Sequence, residues 1–202
     1  RALQQSGRKM APITIGGATI RNRILSSGHD TVMAVDGLVT DRLVAYQEAR
    51  ARGGAGLIVI QVAGVHPTAR YTSSELTADT DDAVPGFARL AEAIHRHGVP
   101  VFAQLFHGGR EMMDSFDGSL PVALAPSAVP SERFHGMPRS VPVALIDEIV
   151  AGFAAAAGRV RAAGLGGVAV GAIDLPMAFR DLDDFWLPHT MPGAAAGQRY
   201  VS

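Results

Sequence analysis

Short apolar runs that end in polar residues and glycine alternate with segments of helical period along the first 170 or so residues of the chain. The runs are Arg23-Ile24-Leu25-Ser26-Ser27, Ala55-Gly56-Leu57-Ile58-Val59-Ile60-Gln61 and Val99-Pro100-Val101-Phe102-Ala103-Gln104-Leu105-Phe106. Runs this short, rich in Val, Ile and Phe, read as parallel strands covered on both faces. Between the first two, Thr40-Asp41 caps a helix through about Arg52, which Gly53-Gly54 stops. Asp79, Asp81, Asp82 and Pro85 open the next helix, in which Phe87, Leu90, Ala91 and Ile94 share one face. His95 and His97 fall in its last turn and are expected to complement the helix dipole. A third helix, from about Val143 to Ala163, places Ile146, Ile149, Val150, Phe153, Ala157 and Val160 on one face. Gly164 ends it, and Gly167-Val168-Ala169-Val170-Gly171 reads as a fourth strand.

Ahead of these elements, residues 1–10 form a polar leader, and Ile13 to Ile20 alternate around Gly16-Gly17 as a small hairpin. A hairpin followed by β-α-β-α-β-α-β predicts a parallel sheet with right-handed crossovers. A closed (β/α)8 barrel takes about 250 residues. Four βα units are legible here, so the fold class is α/β, a TIM-barrel type truncated to roughly its first four units.

The formal net charge of −1 gives no electrostatic footprint for nucleic acid or an acidic membrane surface. The chain has no cysteine, which excludes disulfides, thiolate catalysis, an iron–sulfur cluster and Cys-based zinc sites. No apolar run approaches the roughly 18 residues of a membrane span, and the expected location is the cytoplasm. No Gly-x-Gly-x-x-Gly or Walker loop follows a strand, so a Rossmann site is poorly supported. Seven histidines offer no metal set, because His95 and His97 at i, i+2 point apart on a helix. What changes the picture is Gln104-Leu105-Phe106-His107-Gly108-Gly109-Arg110, polar groups and glycines at the carboxyl end of a strand. Chemistry in α/β barrels sits there, and an amide that both donates and accepts suits the edge of a heterocyclic ring. The loop from Glu111 to Ser140 is long enough to be functional.

Several segments then line up in order: Asn22-Arg23-Ile24, Gly37-Leu38-Val39-Thr40-Asp41, Arg52-Gly53-Gly54-Ala55-Gly56-Leu57-Ile58, Val65-His66-Pro67, Gln104 to Arg110, and Ala125-Pro126-Ser127-Ala128. The set resembles the old yellow enzyme family of FMN-dependent NAD(P)H oxidoreductases. It is most similar to the branch with 2,4-dienoyl-CoA reductase and trimethylamine dehydrogenase. The resemblance implies FMN at the carboxyl end of a barrel, NAD(P)H as electron donor, and hydride transfer to an activated alkene or related small-molecule acceptor. Carried over by position, Ser27, Gly28, His29 and Asp30 match the flavin-contacting loop after the first strand. Val62 matches a small residue under the ring, and Gln104 the amide that bonds the ring edge. An Asp30 carboxylate beside the ring would lower its redox potential; the alternative turns Asp30 to solvent. His107 and Arg110 are read as orienting their loop.

The resemblance breaks after residue 171. The family's His pair, which binds the acceptor oxygen, is absent from Gly171-Ala172-Ile173-Asp174-Leu175-Pro176, so no catalytic residue is assigned. Phe185-Trp186-Leu187-Pro188-His189-Thr190 resembles a later family segment, and the phosphate-gripping loops do not follow. Residues 11–171 are therefore expected to form the N-terminal half of an FMN barrel, and 172–202 a divergent tail, frameshifted or disordered. An open half-barrel invites self-association through its strand edges. The alternative function is a noncatalytic remnant that acts through protein interaction.

Overall fold

The protein is described by a computed structural model covering residues 7, 9–15, 18–113 and 122–166. Strands β1 (Ile13–Ile15) and β2 (Ala18–Ile20) form the expected antiparallel hairpin, with Ile13 opposite Ile20. The first core strand, β3, is reduced to Leu25–Ser26. Helix α1 (Asp41–Arg52) starts at the expected cap: Thr40 Oγ1 accepts from Leu43 N at 3.2 Å and donates to Met33 O at 2.6 Å. Strand β4 (Leu57–Gly64) runs three residues past the predicted end at Gln61. It is followed by β5 (Leu76–Thr77), α2 (Val84–His95), β6 (Val101–Phe106), β7 (Leu124–Ala125), β8 (Arg139–Ser140) and α3 (Val143–Ala162).

All pairings with β4 are parallel. Strand β3 joins its start, Leu25 opposite Leu57, and β5 joins its end, Leu76 opposite Ala63. Strand β6 runs along the opposite edge, Val101 opposite Ile58 and Leu105 opposite Ala63. The helices cover one face of this sheet. Leu43, Phe87, Leu90, Ile94, Ala156 and Val160 form the core with Ile58, Ile60, Ala63, Val65 and Val101. Complete burial of Phe87, Leu90 and Ile94 is worth about 1.5–3 kcal/mol each by area. Gly166 N donates to Val101 O at 2.8 Å and so delivers the chain to the far edge of β6. The expected fourth strand, residues 167–171, lies outside the described residues, as do the tail after it and most of the leader.

At the amino ends of the strands, Asn22 is buried and bridges two segments. Its Nδ2 donates to Gly54 O at 2.9 Å, and its Oδ1 accepts from Ile24 N at 3.0 Å. Gly56 must be glycine, since a Cβ there would overlap both the side chain and the carbonyl of Asn22. Arg21 donates to Ala51 O at 3.0 Å, Ala55 O at 2.9 Å and His97 O at 3.1 Å. These carbonyls lie at or just beyond the ends of α1 and α2, where partners within the helix run out. The Asn22 and Gly53-Gly54 motifs are thus the stitching at this end of the sheet.

Two expectations are corrected. His97 lies beyond α2 and bonds Glu48 Oε1 of α1 at 3.2 Å instead of serving the dipole from the last turn. Asp81 stands in the turn directly ahead of α2, as expected, and also pairs with Arg159 of α3 at 2.6 Å. The apolar face of α3 is buried only toward its carboxyl end, at Ala156 and Val160, while Ile146, Val150 and Phe153 are exposed. The reason is where the helix touches its neighbours: its carboxyl half packs on α2 and β6, and the described residues place no element over Val150. The long loop also holds structure that periodicity cannot signal, two-residue parallel strands β7 and β8 with Leu124 opposite Arg139.

Candidate functional site

The two faces of β6 separate by alternation. Val101, Ala103 and Leu105 belong to the helical core, so Phe102, Gln104 and Phe106 project from the other face of the sheet. In β4 the same division would fail midway without an irregularity. Val59 pairs with Phe102 and Val62 with Gln104, so β4 has one residue more than β6 across this stretch. That bulge keeps Ile60 and Ala63 in the core and turns Val59 and Val62 to the face that carries Gln104. Gln104 is exposed, and its amide has no hydrogen-bond partner among the described residues.

The loop after β3 packs directly on this amide. A Cβ added at Gly28 would stand 2.5 Å from Gln104 Oε1 and 2.8 Å from Ile60 O, so the close approach requires glycine. Gly28, Val62 and Gln104 are thereby brought together at the carboxyl ends of parallel strands. An amide free to donate and accept, over a face cleared by a glycine and a valine, suits the polar edge of a flat heterocycle such as a flavin. Ser27 is exposed in the same loop, and its carbonyl meets His29 Nδ1 at 3.1 Å. The His29 ring turns away to α1, where its Nε2 bonds the Tyr46 hydroxyl.

Asp30 does not point freely into solvent. Its Oδ2 accepts from the Tyr71 hydroxyl at 2.9 Å, and its Oδ1 from Val32 N at 3.2 Å and Gln61 Nε2 at 3.4 Å. Tyr71 meets Phe106 edge to face at 5.3 Å, which ties this group to the end of β6. Burial and the Asp30 carboxylate push the Tyr71 phenol up to about 12, so it stays protonated and donating. Behind it Glu75 is wholly buried: Oε2 accepts from Tyr71 N at 2.8 Å, while Oε1 has no hydrogen-bond partner among the described residues. Burial raises its carboxyl to about 7 against the favourable Tyr71 N–H bond, and Asp30 adds to the rise.

His107 is bonded both within its own loop and to the loop after β4. His107 Nδ1 accepts from Gly109 N at 3.1 Å, and Nε2 shares a 3.0 Å hydrogen bond with Thr68 Oγ1. Thr68 in turn lies 2.8 Å from His66 Nδ1, so the loops after β4 and β6 are joined. Burial, and then the charge of His66, lower the His107 pKa. Arg110 pairs with the adjacent Glu111 at 3.8 Å. Sequence reading missed Gln61, Tyr71 and Glu75. The one available signal was a lone amide at the end of an apolar run; nothing local marks the other two. No helix among the described residues is long and apolar enough to cross a membrane.

Comparison with known proteins agrees with this geometry. The profile of the NADH:flavin oxidoreductase / NADH oxidase family matches residues 10–174. The chain is 35% identical over 183 residues to N,N-dimethylglycine/sarcosine dehydrogenase of Chromohalobacter salexigens, covering 88% of this chain and 25% of that protein. It is 39% identical over 157 residues to NADH oxidase of Thermoanaerobacter brockii, covering 76% and 24%. Among solved structures, morphinone reductase superposes with a TM-score of 0.71 at 26% identity, over 78% of this chain and 46% of that one. A 2-naphthoyl-CoA reductase complex gives 0.72 at 25% identity, over 80% and 26%. The chain thus spans about a quarter of the curated relatives it matches first. By its motifs, its sheet and these likenesses, the chain belongs to the NADH:flavin oxidoreductase / NADH oxidase family and carries part of the old yellow enzyme type of barrel.

Proposed function

We propose that the protein is an FMN-dependent NAD(P)H oxidoreductase acting on a small-molecule acceptor, with the cofactor held against the loop after β3 and the Gln104 amide. The single observation that carries this reading is the exposed Gln104 amide, without a hydrogen-bond partner among the described residues, seated over Gly28 and beside Val62. Gln104 holds the polar edge of the ring, Val62 supports it from the sheet, and the Ser27–Asp30 backbone offers further donors and acceptors. Bound there, FMN supplies hydride transfer between NAD(P)H and an acceptor such as an activated alkene. The Asp30 carboxylate, fixed by Tyr71, opposes added negative charge nearby and so holds the reduction potential down. The half-barrel is assigned to residues 11–171 and the divergent tail to 172–202. NAD(P)H chemistry and a chain without cysteine favour the cytoplasm.

A second reading has one observation in its favour. Val143, Ile146, Val150 and Phe153 form an exposed apolar strip on α3, which suits a noncatalytic half-barrel engaged in protein interaction, self-association included.

The deciding experiment is the visible spectrum of the purified chain after FMN is added and the excess removed. A retained flavin band that is lost in Gln104→Ala supports the cofactor site. Colourless protein overturns that site for this chain and leaves the interaction reading, which size-exclusion chromatography then addresses.

A further inference from the structure

We propose that Gln61 is a positioning residue that clamps the loop Gly28–Val32 onto the bulge of β4 and so sets the backbone against which the cofactor rests. The inference rests on the flavin-site reading above.

Gln61 is wholly buried in the stretch where β4 carries its extra residue. Its amide uses its full bonding capacity. Oε1 accepts from Thr31 Oγ1 at 2.5 Å and from Thr31 N at 3.3 Å. Nε2 donates to Asp30 Oδ1 and to Ser74 O, each at 3.4 Å. Three of these four bonds go to two consecutive residues of one loop. Tyr71 closes the clamp from outside through Asp30 Oδ2 at 2.9 Å.

The held loop is not a relaxed one. Val32 has φ of +54° and is 60% exposed, and its N–H bonds Asp30 Oδ1 at 3.2 Å. A β-branched residue in the left-handed region is an outlier that persists where the surroundings over-determine it. Packing gives no reason for an amide here, because the core positions around it in β4 are Ile58, Ile60 and Ala63. A buried amide stabilises only through its bonds, and the bonds of Gln61 are spent mainly on the loop.

The test uses the full chain with three variants, Gln61→Met, Thr31→Val and Thr31→Ser. Hydrogen exchange of the amides from Gly28 to Met33 is followed without cofactor, and FMN affinity is read by fluorescence quenching. Gln61→Met is expected to speed exchange at Thr31 and Val32 at least tenfold, with α2 and β6 unchanged. Thr31→Val, which removes one hydroxyl from a partly exposed residue and keeps the fold, is expected to loosen the loop in the same direction. Thr31→Ser is expected to restore protection. FMN affinity should follow the exchange, weakening about tenfold in Gln61→Met and returning in Thr31→Ser. Unchanged exchange in Thr31→Val, or equal loosening throughout the sheet, overturns the clamp. A looser loop with FMN affinity within twofold of the parent overturns its positioning role. If the parent chain binds no FMN, the flavin reading fails, while the exchange comparison still decides whether Gln61 holds the loop.

Discussion

Gly28 and Gln104 stand so close that a single added methyl group would fall 2.5 Å from the Gln104 Oε1. The same methyl would lie 2.8 Å from Ile60 O, which is backbone and cannot swing aside as the amide can. Gly28→Ala is therefore expected to push the loop off the sheet. We expect a loss of about 1–3 kcal/mol in stability and a weaker hold on FMN. Chemical denaturation and the retained flavin absorbance check the two effects separately. Gln104→Ala, by contrast, should cost little stability, because that side chain is exposed.

Glu75 makes the stability of the chain depend on pH. Its carboxyl titrates at about 7 when folded against 4.5 for the ordinary side chain, so between those values folding takes up a proton. Stability from this group is complete below about pH 4.5 and lost as the pH rises through 7. A difference of 2.5 pH units corresponds to about 3 kcal/mol. The groups facing it are the Tyr71 and Thr72 backbones, Asp30, which raises the value, and Arg70, which lowers it. His107 works in the opposite sense: its lowered pKa keeps it neutral, and its contribution is lost as the pH falls below 6.5. Urea titrations from pH 4 to 9 should show the parent losing stability toward pH 8. Glu75→Gln should lack that decline and exceed the parent at pH 8; parallel curves would refute the assignment.

At the opposite end of the sheet, Asn22→Ala removes both bonds of a buried amide, leaving Gly54 O and Ile24 N without their side-chain partner. We expect a loss of about 2–3 kcal/mol, visible in the melting temperature. Exchange protection of the Gly28–Met33 amides, at the other end of the strands, should change little. Loss of loop protection greater than loss of global stability would contradict the separation of stitching and site.

On α3, Val150→Lys should shift stability by no more than about 0.5 kcal/mol, because Val150 is 62% exposed. Val160→Ala, at 6% exposure, should cost about 1–2 kcal/mol. If the exposed strip holds copies of the chain together, Val150→Lys will also reduce the apparent mass in sedimentation. An unchanged mass would leave the strip out of any self-association.

The sequence by itself determined the hairpin, the three helices and the first three core strands, in their order. Thr40 capping α1, the spacing of Phe87, Leu90, Ala91 and Ile94, and the apolar runs around Ile58 and Val101 are local signals. Local signals suffice for helices and strands because backbone sterics and burial periodicity act over one or two turns. The family motifs likewise singled out Gly28, in the loop after β3, and Gln104, in β6, though nothing in the chain told that they touch. Tertiary structure decided which face each residue takes. Alternation alone would put Gln61 on the open face of β4 and Val62 in the core. One extra residue between Val59 and Val62 reverses this, burying Gln61 under the loop and presenting Val62 beside Gln104. It also turned His29 to Tyr46 and joined Asp30 to Tyr71, 41 residues away. The physical reason is that a strand's register is fixed by its neighbour: β4 must match β6, and a one-residue mismatch is relieved by a bulge that no single run of sequence reveals.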